Sequence, residues 1–111
     1  MKIAIIGSRK FKSLKMVSDY VKTLPRGTIV ISGGARGVDS VAANMARFEG
    51  FQVIEIIPNW NDGHQAGYAR NTLIAEECDR MVAFWDGESK GTKDSIEKCQ
   101  ALGKEVQVIV A

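Results

Sequence analysis

Residues 32–40 read SGGARGVDS: three glycines (Gly33, Gly34, Gly37), an arginine and an aspartate directly behind the apolar run TIVI. Two physical uses fit such a loop. Glycines let a strand turn sharply into a helix, and the same turn lets backbone N–H groups approach an anion that the helix N-terminus also favours. The pattern recurs along the chain. GSRKF (7–11) follows the first apolar run, the long polar and aromatic PNWNDGHQAGYARN (58–71) follows the third, and DGESKGTKDS (86–95) follows the fourth. The turns between them, LPRGT, FEGF, EECD and LGKE, are short and ordinary. One glycine turn alone signals a turn. Three of them (Gly7–Arg9, Gly33–Gly37, Ser89–Thr92), with Arg9, Arg36 and Arg70 able to grip phosphate oxygens in pairs, point to an anionic ligand. Neither G-x-G-x-x-G nor G-x-x-x-x-G-K-[ST] is present, which argues against a standard dinucleotide or P-loop site.

Single residues in these loops carry two readings each. Asp39 sits where a carboxylate supports a helix N-terminus, and equally where one could contact a ribose or a base. Trp85 ends an apolar run, either as packing or as a stacking surface for a base. Trp60, His64 and Tyr68 lie in the long third loop, which could fold as a lid. His64 is the one histidine of the chain. It reads as a surface or hydrogen-bonding residue, with a catalytic base as the alternative, and multi-histidine metal chemistry is excluded. No metal site is expected. Cys78 and Cys99 form no C-x-x-C and read as reduced, packed thiols.

These loops need a frame. Five apolar runs, KIAII (2–6), TIVI (28–31), FQVIEII (51–57), RMVAFW (80–85) and EVQVIV (105–110), are rich in Val and Ile. Nearly continuous runs of this kind are strands covered on both faces. Helical patterns lie between them. Leu14, Val17, Val21 and Leu24 follow Ser13 as N-cap. Val38, Val41, Ala42, Met45 and Ala46 end at Gly50, and a third pattern over about 66–78 turns Ala66, Ala69, Leu73 and Ile74 inward. The last, over about 92–102, uses Ile96 and Cys99 and stops at Gly103. Alternating strands and helices with right-handed crossovers predict a Rossmann-like, doubly wound α/β three-layer sandwich, with one domain over residues 1–111. Ligands bind such sheets outside the carboxyl ends of the strands, where all four marked loops fall.

The chain has 111 residues, with 15 Lys and Arg against 13 Asp and Glu, a net charge of +2. That is weak for a nonspecific nucleic-acid binder. No apolar run approaches a membrane span, and MKIAIIG enters a strand pattern without a signal region, so a cytoplasmic protein is expected. The apolar faces of so small a sandwich leave room for a homodimer or higher oligomer.

IIGSRKF, ISGGARGVDSVAA, AGYARNTLIAEECD and VAFWDGESKGTKDSIEKCQALGK together resemble the SLOG superfamily, and more narrowly its small stand-alone YspA/YpsA-related proteins. The resemblance runs over nearly the whole chain. It implies a five-stranded parallel sheet of order 3-2-1-4-5 and a nucleotide or nucleotide-derived ligand, with no cofactor required. Gly7, Ser8 and Arg9 match the family's first loop, and Gly33, Gly34, Arg36, Gly37 and Asp39 its second. Arg70 and Asn71 match an arginine–asparagine pair, and Gly91 and Thr92 a glycine–threonine phosphate turn. Ala35, Trp85, Asp86 and Ser89 complete the candidate ligand-binding set. The function so implied is a sensor, sponge or carrier of an ADP-ribose or cyclic-nucleotide type of ligand. Two related families suggest alternatives. The lonely-guy phosphoribohydrolases share Arg70, Gly91 and Thr92, and imply a glycosidic hydrolase in which Arg70 and Asp94 or Glu97 do the chemistry; their Pro-Gly-Gly start is absent here. The DNA-processing protein A family shares SGGARGVDSVAA and implies single-stranded DNA binding, which the small net charge disfavours.

Overall fold

A computed structural model describes residues 1–111, the side chain of His64 excepted, so the expectation attached to that histidine lies outside the described residues. The chain runs β1 (Lys2–Gly7), α1 (Leu14–Lys22), β2 (Ile29–Ser32), α2 (Val38–Phe48), β3 (Gln52–Glu55), a 3-10 segment (Trp60–Gln65), α3 (Ala66–Glu77), β4 (Arg80–Trp85), α4 (Lys90–Ala101) and β5 (Glu105–Val110). All strand pairs are parallel and their order is β3-β2-β1-β4-β5, as the motifs implied.

The doubly wound architecture follows from the two-residue repeat of the central strands. Ile3 and Ile5 of β1 and Val82 and Phe84 of β4 face a core with Val17 and Val21 of α1 and Val38, Ala42 and Ala46 of α2. Their alternates Ala4, Ile6, Met81 and Ala83 face a second core with Ile74, Ala75 and Cys78 of the α3 side and Ile96 and Cys99 of α4. Both faces are therefore covered, and the sheet separates two helix layers. Local signals set the helix ends. The Ser13 hydroxyl accepts the Met16 N–H at 3.3 Å, and the Ser89 hydroxyl accepts that of Thr92 at 3.4 Å. The cysteines are buried free thiols 4.0 Å apart, and burial pushes Cys99 up to about 12.

Two expectations are corrected. The third strand spans four residues, not 51–57, because only β2, itself four residues long, pairs with it. On α3, Ala69 and Leu73 face solvent, Leu73 at 54% exposure, while Ala66, Asn71, Ile74 and Ala75 are buried. A polar residue, Asn71, occupies the buried stripe because its partners lie on the neighbouring helix. Apolar periodicity alone misses that.

Phe84 is fully buried and meets Phe11 edge-on at a ring distance of 5.4 Å. Phe84→Ala should lower unfolding free energy by about 3–5 kcal/mol in urea titrations, the cost of a large core cavity. A loss under about 1 kcal/mol would show that this core does not hold the sheet.

Candidate functional site

β1, β2 and β4 end side by side, and their loops enclose a cleft of about 460 Å³. Arg9 and Lys10 from the β1 loop, Ala35 from the β2 loop and Arg70 from α3 line one part of it. Asp86 and Glu88 of the β4 loop, with Ser89, Gly91 and Thr92 at the start of α4, line the rest. A recess of about 40 Å³, lined by Asp39, Asn71 and Ser95 among others, adjoins it at Gly7 and Arg70.

Asp39 organises this edge. It enters in the first turn of α2 and is 3% exposed. Its carboxylate accepts the N–H of Gly7 at 3.2 Å and of Ala35 at 3.4 Å, and that of Gly33 also bonds to it. The glycine-rich amides thus converge on an anion, but the anion is the protein's own. Arg70 supplies the countercharge. Its Nη1 donates to the Gly33 carbonyl and its Nε to Asn71 Oδ1 at 2.8 Å. Burial raises Asp39 to about 6, opposed by the Arg70 charge and the three amides. Burial lowers Arg70 from its ordinary value, Asp39 opposes this, and Arg9 adds to it.

Space enforces the glycines. A Cβ on Gly33 would lie 2.7 Å from Asp39 Oδ2 and 2.8 Å from Arg70 Nη1, and one on Gly7 would strike the Phe84 carbonyl and Val38. At the other wall, Ser8 is buried; its hydroxyl accepts the Asp86 N–H at 3.1 Å and sits 3.2 Å from Thr92 Oγ1. Asp86 Oδ1 accepts the N–H groups of Ser89 and Glu88 at 2.8 and 2.9 Å, and these bonds hold its carboxyl below the usual range.

The candidate residues divide accordingly. Gly7, Arg9, Ala35, Arg70, Asp86, Ser89, Gly91 and Thr92 line the cleft, and Asp39 and Asn71 line the recess. Ser8, Gly33, Gly34 and Gly37 shape the loops without lining the cleft, and Arg36 is exposed and does not line it. Trp85 packs on the second core and donates its indole N–H to the Ser89 carbonyl at 3.1 Å, so its packing role is the one seen. Asp94 pairs with Lys98 at 2.9 Å and accepts from Asn71 at 3.1 Å, and Glu97 is exposed; neither lines the cleft. Sequence reasoning missed Lys10 and Glu88, whose only signal is adjacency to GSR and to Ser89. Among the described residues no cluster of three His, Cys, Asp or Glu could hold a metal, and no helix is long and apolar enough to cross a membrane.

A sequence profile of the family described as DNA recombination-mediator protein A matches residues 1–66, which takes in both GSR and SGGARGVDS. The chain belongs to this family. It is 34% identical to the Gene 61 protein of Mycobacterium phage D29 over 113 residues, covering 92% of this chain and 90% of that protein. DNA processing protein A of Streptococcus pneumoniae superposes on 99% of this family member with a TM-score of 0.83 at 22% identity. DNA processing protein A of Helicobacter pylori covers 97% with a TM-score of 0.73 at 23% identity, and TM1055 covers 95% with 0.71 at 23%. At these identities the likeness is one of fold. The chain spans 50% of the Streptococcus protein and 64% of the Helicobacter protein.

Asp39 gives this edge a pH signature. Folded, it keeps its proton up to about 6, whereas an unfolded aspartate loses it near about 4. Its contribution therefore favours the fold fully below about pH 4 and is lost as pH rises through 6, up to about 3 kcal/mol in all. Asp39→Asn should remove that component. The wild-type minus variant difference in urea-derived stability is expected to shift by about 1–3 kcal/mol between about pH 4 and pH 7, and a constant difference would refute the assignment.

Proposed function

We propose that the cleft binds the phosphorylated part of a nucleotide, in this reading a free nucleotide or nucleotide-derived signalling ligand held without turnover by a sensor, sponge or carrier. One observation carries the reading. Arg9 and Lys10, exposed and in no salt bridge among the described residues, share a cleft of about 460 Å³ with the first turn of α4. That volume falls in the range of small-ligand sites, about 300–1,000 Å³. Exposed cations and helix N–H groups are what a phosphate requires. Asp86 and Glu88 at the same cleft suit hydroxyl donors such as those of a ribose, and they oppose a run of phosphates. The resemblance to the YspA/YpsA-related proteins supports the same small-molecule reading. Hydrolysis is not proposed, since Asp94 is committed to Lys98 and Asn71 and Glu97 stands outside the cleft.

Family membership favours a second reading, single-stranded DNA. The Helicobacter pylori relative is described for its single-stranded DNA binding mode. Both readings use the same nucleotide chemistry, and they separate by salt. A strand that neutralises several phosphates releases counterions and loses affinity steeply as salt rises, while one nucleotide loses little.

Calorimetry with nucleoside mono- and diphosphates, ADP-ribose, cyclic nucleotides and a short oligothymidylate tests this. A saturable nucleotide, recovered unchanged, is expected. Arg9→Ala should weaken it by about tenfold to a hundredfold, the value of a charge-assisted phosphate contact, while Arg36→Ala leaves it unchanged. If no compound in the panel binds, the reading fails; if only the oligothymidylate binds, with a steep salt slope, the second reading replaces the first.

A further inference from the structure

Beyond Arg9 and Arg70 lies a further hollow of about 210 Å³. Trp60, Gly67 and Tyr68 line it, together with Arg9, Arg70 and Gly91, which also line the phosphate cleft. The two spaces therefore share walls. Trp60, at the start of the 3-10 segment, is 63% exposed, and Tyr68, on the first turn of α3, is 42% exposed. Two aromatic side chains lining one hollow offer faces on which a planar ring can stack. Trp85 is the contrast: its indole N–H is bonded and its ring packs on a core. Tyr68 is anchored, since Lys98 Nζ donates to its carbonyl at 2.8 Å and lies 5.8 Å from its ring centroid. Gly67 adds room, because a Cβ there would meet nothing within 4 Å.

We propose that this aromatic hollow seats the nucleobase of the ligand whose phosphate occupies the adjoining cleft, by stacking on Trp60 and Tyr68. The proposal rests on the nucleotide reading above and adds the base to it. Asn71 Nδ2, the amide donor at the hollow, is already bonded to Gly91 O at 3.3 Å and Asp94 Oδ2 at 3.1 Å. The seat rests on ring faces, a mode of recognition that accepts purine and pyrimidine alike.

The test compares AMP, CMP and ribose 5-phosphate, which keeps the sugar and phosphate but lacks the base, by calorimetry. Wild type should bind both nucleotides more tightly than ribose 5-phosphate by about tenfold or more. Trp60→Ala should close that gap without weakening ribose 5-phosphate, and Trp60→Phe should keep most of it. Gly67→Leu places a side chain in the hollow while replacing a helical glycine, so it should close the gap without lowering the melting temperature. Equal binding of all three compounds by wild type, or an undiminished gap in Trp60→Ala, overturns the base seat and leaves the phosphate cleft standing. If only a short oligothymidylate binds, Trp60→Ala must weaken it about tenfold, or the seat is refuted. No binding by any of the four overturns the nucleotide reading itself, and the seat with it.

Discussion

The carboxylate of Asp39 is the constraint on which the carboxyl edge of the sheet depends. A buried carboxylate is tolerated only where donors and a countercharge meet it. Here the donors come from the end of β1 (Gly7) and from the β2 loop (Gly33, Ala35), and the countercharge comes from α3 (Arg70). Elements distant in sequence are thus tied to one anion. None of those loops can shift without stranding a charge, so the cleft beside them inherits a fixed wall. Gly33 fits the same constraint, since a Cβ there would have to displace the Asp39 carboxylate or the Arg70 guanidinium.

Three arginines of similar sequence context have three different fates. Arg70 is half-buried and commits two of its five N–H donors to the Gly33 carbonyl and Asn71. Arg36 is exposed and does not line the cleft, and Arg9 stands exposed at it. A guanidinium count therefore overstates the cationic capacity of the site. The same holds for the amides: Asp39 fills part of the glycine-rich cradle, and at the start of α4 Asp86 and the Ser89 hydroxyl already take the N–H groups of Ser89 and Thr92. The loop 32–40 is a turn and a cradle at once, with its occupant built in.

The frame was legible because it rests on periodicity. Strands covered on both faces demand nearly continuous apolar runs, and KIAII and RMVAFW show them, so sheet and layers follow. The place of the site was legible too, because parallel sheets put ligand loops at one edge. Individual roles were less so. Ser8 and Trp85 have ligand-like types, yet Ser8 bonds to Asp86 across the fold and Trp85 to Ser89 within its own loop. Asn71 inverted the expected face of α3 because its partners Gly91 and Asp94 lie on α4. Long-range pairing leaves no trace in local spacing.

The site that results is divided by chemistry. Whatever enters meets cations and helix N–H groups on one side, carboxylates on another, and aromatic rings beyond Arg9 and Arg70. Phosphate, hydroxyl and planar ring are the complements of those three surfaces, and a nucleotide carries all of them within one unit. Affinity for a longer polymer would need cations outside the cleft as well, and with a net charge of +2 the chain has few to spare. The order of the surfaces also fixes a direction. In the proposed binding mode the phosphate would lie toward α4 and the base toward α3, which would set Arg9, shared by cleft and hollow, at the junction of sugar and phosphate.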